Sequence, residues 1–525
     1  MTAPVLAQQQ DPATARTDSF GFLVRAEWTK FRTVRGWVIA VTLGAILTIL
    51  LGVWTGAASQ EGCPGGACHY VIPAGPGGEA VTDTYYFVHR PLAEHGSITV
   101  RVTSLTSVLD TGLTPQGPTG SQPAGVPWSK GGLIISASPR QGSAYAAVMV
   151  TGSHGTRMQW NYTGDTAGLP GPVTAGSPRW LRLVRSGDLI TGYDSASGTR
   201  WTPIGSVTLL GLAPVVQAGM FATSPGYTQQ VSQQIDGGTS TGNTTDSTAT
   251  IDRVSLHGAW PAGSWTGSAV NGGTRSISYP TGAVSGYRQA GGTFTVTGSG
   301  DIAPGVDGGT GIDGPLAGVF IGLIAVVVIG ALFMTAEYRR GMIRVTLAAS
   351  PRRGRVLAAK SIVLGTVTFI AGLAGAAGAI LIGVPLLRAN GNPMVPVTPV
   401  TDIRVIAGTA ALIALAAVFA LGVGTIMRHG AGAVTVVLTA IILPYLLTAA
   451  FPVLPAGAAN WLLRVTPAAG FAIKQVIPAY PQVGGSYTPW TGYFPLAPWA
   501  GLTVLAGYAA VALALAAVLL RRRDA

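Results

Sequence analysis

Six stretches of the chain, 37–55, 315–335, 361–387, 405–427, 433–454 and 499–520, are long, apolar and free of charged residues. A hydrocarbon layer of about 30 Å is crossed by roughly 20 helical residues at about 1.5 Å of rise each, so each stretch predicts a membrane-spanning helix. Unpartnered backbone groups are too costly in lipid for irregular structure, which favours helix in all six. Trp37, Trp54 and Trp499 stand at run ends, where indole rings anchor at headgroup level. Ala57 and Ala58 follow the first run as small residues follow a signal peptide's core, but the 36 residues before it are long for a signal's leader. A retained span is expected there.

Between the first two runs the pattern changes from continuous to alternating. Ile98, Val100 and Val102 interleave with Thr99, Arg101 and Thr103, the period of a half-buried strand. Similar strands are predicted at 132–137, 144–151, 156–162, 179–185, 189–194, 215–223 and 249–257, with Ser186-Gly187 and Ser197-Gly198 as turns between several of them. About eight such strands over 84–258 predict an all-β, two-sheet jelly-roll sandwich. Residues 236–248 read as a loop within it, and the Gly/Ser/Thr-rich stretch 259–314 as a strand or two returning the chain to the membrane.

Only 10% of the 525 residues are charged while 48% are hydrophobic, which excludes an ordinary soluble enzyme. The 74 glycines and 35 prolines demand many turns, which excludes an all-helical chain. A net charge of +12 raises nucleic acid as a partner, so the location of the excess decides. Residues 1–36, 336–360, 427–430 and 521–525 together carry 16 basic and five acidic residues, whereas 56–314 carries 12 basic and 14 acidic. The positive-inside rule then puts both termini in the cytoplasm and 56–314 outside, in a multi-pass protein of the cell membrane. The basic excess serves topology and anionic headgroups, and no nucleic-acid partner is expected. The organisation that follows is a cytoplasmic tail with an elbow helix at 1–36, a first span at 37–55, an outer domain at 56–314, and five further spans with a cytoplasmic loop 336–360 in 315–525.

Cys63 and Cys68, in Cys-Pro-Gly-Gly-Ala-Cys, fall just outside the first span, where a small disulfide loop is the preferred reading. A metal would need more ligands than His69 adds, so none is expected. Arg179-Trp180-Leu181-Arg182-Leu183-Val184-Arg185-Ser186-Gly187-Asp188, continuing to Trp201-Thr202-Pro203-Ile204-Gly205, resembles the concanavalin-A-like lectin and glucanase sandwiches, as does Gly131-Gly132-Leu133-Ile134-Ile135 upstream. Retaining glucanases of that fold carry a Glu-x-Asp-x-Glu strand, and this chain has none, so hydrolysis is not expected. Trp160, Trp180 and Trp201 are candidates for stacking on a cell-wall glycan, against a plain core role. Asp165, Asp188 and Asp194 suit side-chain turns better than a Ca²⁺ site.

On the inner side, Phe20, Leu23, Val24, Trp28, Phe31 and Val34 share one face of a helix at 19–35, with Arg25, Thr29 and Arg32 opposite. Glu27 falls among the apolar residues, so either a cation meets it or the helix is rotated differently. After the second span, Glu337 to Leu347, a break at Ser350-Pro351 and a second helix leading into the third span predict a stiff elbow.

Ala26-Glu27-Trp28-Thr29-Lys30-Phe31-Arg32-Thr33-Val34-Arg35 before a first span resembles the opening of actinobacterial ABC transporter permeases of the exporter-like class. Glu337-Tyr338-Arg339-x-Gly341 through Thr346-Leu347 to Ser350-Pro351-Arg352-Arg353 and Lys360 is similar to their loop after the second span. The resemblance covers about half the chain and implies a permease subunit, paired with a second and here expected to be a homodimer, docked on a separate ATP-binding subunit that holds ATP and Mg. It assigns the docking surface to Glu27, Lys30, Arg32, Glu337, Arg339, Arg340, Arg344, Pro351, Arg352 and Arg353. Two features of the residues agree. The spans contain no ionisable interior of the kind ion-coupled carriers use, and no Gly-x-x-x-x-Gly-Lys-Ser/Thr loop occurs, so the chain is expected to be non-catalytic and to draw energy from a partner. The alternative from another class is a membrane-anchored glycan-binding or sensory protein without transport activity.

Overall fold

The computed structural model describes residues 20–59, 62–63, 66–67, 71–114, 117–226, 244–270, 285–305, 309–343, 352–449, 454–483, 489 and 492–523. Helix α1 (Phe20–Thr33) is separated from α2 (Arg35–Ala58) by Val34, whose extended backbone breaks the helical path. After the β region come α3 (Val319–Arg339), α4 (Arg353–Ala389), α5 (Pro399–Met427), α6 (Gly430–Ala449), α7 (Ala456–Val465) and α8 (Pro498–Arg523). Short 3-10 helices at Gly314–Gly318 and Pro467–Lys474 precede α3 and follow α7. Six of the helices, α2 to α6 and α8, are long and apolar enough to cross a membrane.

Small residues bring these helices together. A Cβ added at Gly52 of α2 would lie 2.9 Å from Cβ of Ala379 in α4, and one at Gly372 of α4 would lie 3.1 Å from Cα of Ala410 in α5. A Cβ at Gly330 of α3 would stand 2.4 Å from the carbonyl oxygen of Ala417 in α5. Backbones approach this closely only where side chains are absent or single methyls, the condition under which van der Waals packing holds apolar helices together. The small residues along α4 divide their work: Gly375 and Ala379 meet α2, while Gly372 meets α5.

Residues 81–304 form two stacked antiparallel sheets. The first runs, in spatial order, Gly164–Ala167, Thr156–Trp160, Tyr145–Thr151, Lys130–Ser136, Val216–Thr223, Tyr85–Leu92 and Thr266–Val270. The second runs Thr202–Thr208, Leu189–Ser195, Arg179–Ser186, His95–Thr114, Thr245–Gly258, Thr293–Ser299 and Gly286–Ala290, with Gly117–Pro123 paired to the far end of His95–Thr114. Leu133, Ile135, Val148, Leu181, Leu183 and Ile251 fill the space between them.

The sandwich extends beyond the limit of 258 expected from sequence. Thr293–Ser299 pairs with Thr245–Gly258, and Thr266–Val270 pairs with Tyr85–Leu92, so both sheets are completed from the Gly/Ser/Thr-rich stretch. Thr245–Gly258 also begins inside the segment expected to be loop. Thr293–Ser299 does alternate, burying Phe294 and Val296, as the strand expected in this stretch; the hydroxyl-rich Thr266–Val270 and the start of Thr245–Gly258 have few apolar residues to mark them and are ordered by cross-strand pairing.

The first sheet is covered on both faces. Every residue of Lys130–Ser136 and Tyr145–Thr151 is buried. On the side away from the second sheet, Ile134, Tyr145, Met149 and Phe221 pack with Val81 and Ile302 from the paired segments Val81–Asp83 and Ile302–Pro304. The second sheet alternates buried and half-exposed residues along Arg179–Ser186 until its exposed last residue, Ser186, as expected of a sheet with one wetted face.

Candidate functional site

Helix α1 turns an acidic residue inward. Glu27 and Phe31 are its buried residues, while Phe20, Phe22 and Trp28 are exposed. The helix is thus rotated from the face expected from apolar positions alone, and the reason lies in α4. The Lys360 ammonium, on a fully buried side chain, donates to Glu27 Oε2 at 2.8 Å and to Glu337 Oε1 at 2.5 Å. Lys30 pairs with the same Glu337 oxygen. Two carboxylates and two ammoniums from α1, the end of α3 and the start of α4 therefore form one knot.

Removing charges from water is expensive, and only mutual pairing offsets that cost. The knot satisfies this with equal numbers of each sign. Burial and the neighbouring Lys360 charge hold the Lys30 ammonium down at about 8, below the ordinary lysine value. Beneath it Lys360 Nζ lies 4.6 Å from the Phe333 ring centre, a cation over an aromatic face. Phe31, Trp37 and Phe333 pack edge to face or tilted, with ring centres 4.9 to 6.0 Å apart, which seals the charges from the side.

The structure thus brings Glu27, Lys30 and Glu337 together, through a residue outside the expected docking set. Lys360 is the hub. Its sequence signal was Glu27 among apolar residues, which implied either a cation or a differently rotated helix. Arg32, Arg339, Arg340 and Arg352 are exposed, and Arg353 Nη1 donates to the Leu520 carbonyl at 2.6 Å, joining α4 to the end of α8. Arg344 and Pro351 lie outside the described residues. So does Cys68. The backbone at Gly62–Cys63 pairs antiparallel with Gly66–Ala67.

The three candidate tryptophans are divided between sheets. Trp160 belongs to the first, where Gly164 lies against its ring: a Cβ there would stand 2.1 Å from the indole. Trp180 lies in the second sheet, with the Arg101 guanidinium carbon 5.8 Å from its ring centre and Arg101 paired to Asp252 at 2.6 Å. The Arg182 guanidinium carbon lies 3.9 Å from the Trp201 ring centre. Arginine therefore lies against the rings of Trp180 and of Trp201, the residue just before Thr202–Thr208. Among the described residues no group of three or more His, Cys, Asp or Glu is placed to hold a metal.

No family model and no curated protein sequence matches this chain. Among solved structures it is similar to scytalido-glutamic peptidase bound to a transition-state analogue inhibitor, at 7% identity and a TM-score of 0.25, over 41% of this chain and 98% of that one. It is also similar to a functionally unknown protein from Saccharomyces cerevisiae, at 11% identity and a TM-score of 0.20, over 39% of this chain and 97% of that one. A third similarity is to the GH43 protein BlXynB of Bacillus licheniformis, at 16% identity and a TM-score of 0.16, over 25% and 24% of the respective chains. At such scores the likenesses assign neither family nor activity.

Proposed function

We propose that this chain is the permease subunit of an ATP-driven transporter of the exporter-like ABC class, working as a homodimer with a separate ATP-binding subunit. In this reading the six apolar helices cross the cell membrane, both termini are cytoplasmic, and the sandwich is an extracellular lectin-like jelly roll. The observation that carries it is the charge knot. It fastens the elbow helix α1 to the helices on both sides of the segment 340–352, so a push on that segment is passed to α3 and α4 together. Closure of the nucleotide-loaded partner would tilt these helices and alternate access to a central path. The exposed Arg32, Arg340 and Arg352, with Arg344, offer the partner its docking charges. Glu27, Lys30 and Glu337 act behind that surface as a rigid link.

The test is co-reconstitution with the ATP-binding subunit in lipid vesicles. Charge reversal by Arg352→Glu or Arg344→Glu is expected to lower permease-dependent ATPase activity about tenfold, the scale of one or two lost charge-assisted contacts. The melting temperature of the isolated permease should not change. Full coupling in both variants, or ATP hydrolysis by the purified chain alone, would overturn the proposal.

A further inference from the structure

Three polar side chains form a line across neighbouring strands of the first sheet. Gln217 belongs to Val216–Thr223, His89 to Tyr85–Leu92 and Ser268 to Thr266–Val270, which lie side by side in that order. Val88 and Ala218 fill the space between the two sheets, so their neighbours His89 and Gln217 point to the other face. His89 stands opposite Gly219 on one side and Thr266 on the other; Gln217 and Ser268 are each two residues along from those partners and share its face. His89 Nδ1 is 2.7 Å from Gln217 Oε1, and Nε2 of the same ring is 3.0 Å from Ser268 Oγ.

The atoms in contact fix where the protons sit. An amide oxygen only accepts, so Nδ1 carries a hydrogen and donates it to Gln217. Burial holds the imidazole below its usual 6.5, against the weaker pull of the Gln217 bond, so the ring is uncharged at neutral pH. Nε2 is then a lone pair that accepts the Ser268 hydroxyl. The ring is also packed: its centre lies 4.7 Å from that of the fully buried Phe87. All three residues of the line are half-buried, at the margin of the cover over this face.

Among the described residues no strand pairs beyond Thr266–Val270, which leaves it at the edge of the sheet. In an antiparallel pair alternate amides point away from the partner, so either the Ser268 amide or those of Gly267 and Ala269 face that edge. Such donors beside a hydroxyl are what an oxyanion needs as it develops. Ser268 also lies opposite Phe87 and two residues before Val270, both buried on its face, which favours an uncharged acyl group there.

We propose that Ser268 is a nucleophile that cleaves short, uncharged carboxylic esters, with His89 as its general base and Gln217 as the residue that orients the base. Hydroxyl, imidazole and a fixed acceptor stand in the order that serine acyl transfer uses. Ser268 Oγ bonds to the ester carbon while its proton passes to His89 Nε2. The tetrahedral adduct then expels the alkoxide, which takes that proton and leaves as the alcohol. Water repeats the sequence on the acyl-serine and releases the acid. The line contains no carboxylate, so this chemistry is distinct from glycoside hydrolysis, and it does not rest on ATP-driven transport.

The full chain in detergent would be treated with a fluorophosphonate probe, digested and mapped by mass spectrometry. The adduct is expected on Ser268; no adduct, or adducts confined to other residues, overturns the proposal without recourse to any variant. Hydrolysis of p-nitrophenyl acetate above the buffer rate should fall at least about a hundredfold in Ser268→Ala and in His89→Gln, the scale of a lost nucleophile or general base. Gln217→Glu keeps the acceptor and adds a charge that stabilises the imidazolium, so it should raise the rate about tenfold or more. A purely structural hydrogen bond would give no such gain. A rate unchanged in Ser268→Ala or His89→Gln, or not raised in Gln217→Glu, overturns the proposal. If a variant elutes aggregated, the labelling of the wild-type serine decides.

Discussion

Asp83 is buried under the first sheet, where its Oδ2 accepts the Tyr162 hydroxyl at 2.7 Å and the Gly142 amide at 2.9 Å. Burial outweighs those two bonds and raises its carboxyl from 3.8 to about 7. The folded chain therefore holds a proton that the unfolded chain releases between pH 3.8 and 7, and stability falls as pH rises through that window. Asp246, raised to about 6 chiefly by burial, acts in the same sense. Thermal unfolding of the full chain should give a higher melting temperature at pH 5 than at pH 7.5. Asp83→Asn should remove part of the difference, and a wild-type melting temperature that climbs across this window would refute the assignment. Nothing in the local sequence marks Asp83 as buried, because its cover arrives from residues 142 and 162. Glu27 was legible in a way Asp83 was not: helical spacing set it among apolar residues, so either a cation met it or the helix was rotated, and the structure has both.

Among elements, the charge knot joins three helices that also meet through the Phe31–Phe333 ring contact and a shared apolar cluster. Lys360→Met would leave Glu27 buried without its cation and Glu337 with Lys30 alone. Removing one member of such a group costs about 3 to 5 kcal/mol. We expect a clear fall in melting temperature and faster proteolysis of α1, with Glu27→Gln in the Lys360→Met background recovering part of the loss. Additive effects of the two substitutions would show that they do not act on one another. The six long helices were readable because uninterrupted apolar runs admit no other structure in lipid. Strands with clear alternation, such as Arg179–Ser186, were readable for a similar reason. The 20-residue strand His95–Thr114 was seen only in its first half, since Ser104 to Thr111 lack a buried-exposed rhythm, and Ser104 to Leu109 are ordered by Thr245–Gly258 alongside. Pairing between distant strands is set by the whole sheet, and one strand's own residues do not report it.

In the whole molecule, the place where the chain leaves α2 and the place where it returns before α3 are fastened to one short segment after α4. Asn390 Nδ2 donates to the Gly56 carbonyl at 2.8 Å, and the Ser59 hydroxyl meets Asn392 Oδ1 at 2.6 Å. One residue further on, the Pro393 carbonyl accepts the Thr310 amide at 2.8 Å, and Val395 N donates back to Thr310 at 3.1 Å. Departure and return therefore stand only a few residues' reach apart, on the order of 10 to 15 Å. The sandwich is topologically a cassette, with a doorway already closed behind it. Replacing residues 60–309 by about eight glycine and serine residues should yield a helical protein that still inserts, stays monodisperse in detergent and keeps its melting transition. A truncated chain that aggregates would show that the sandwich props the helices apart and is no detachable passenger.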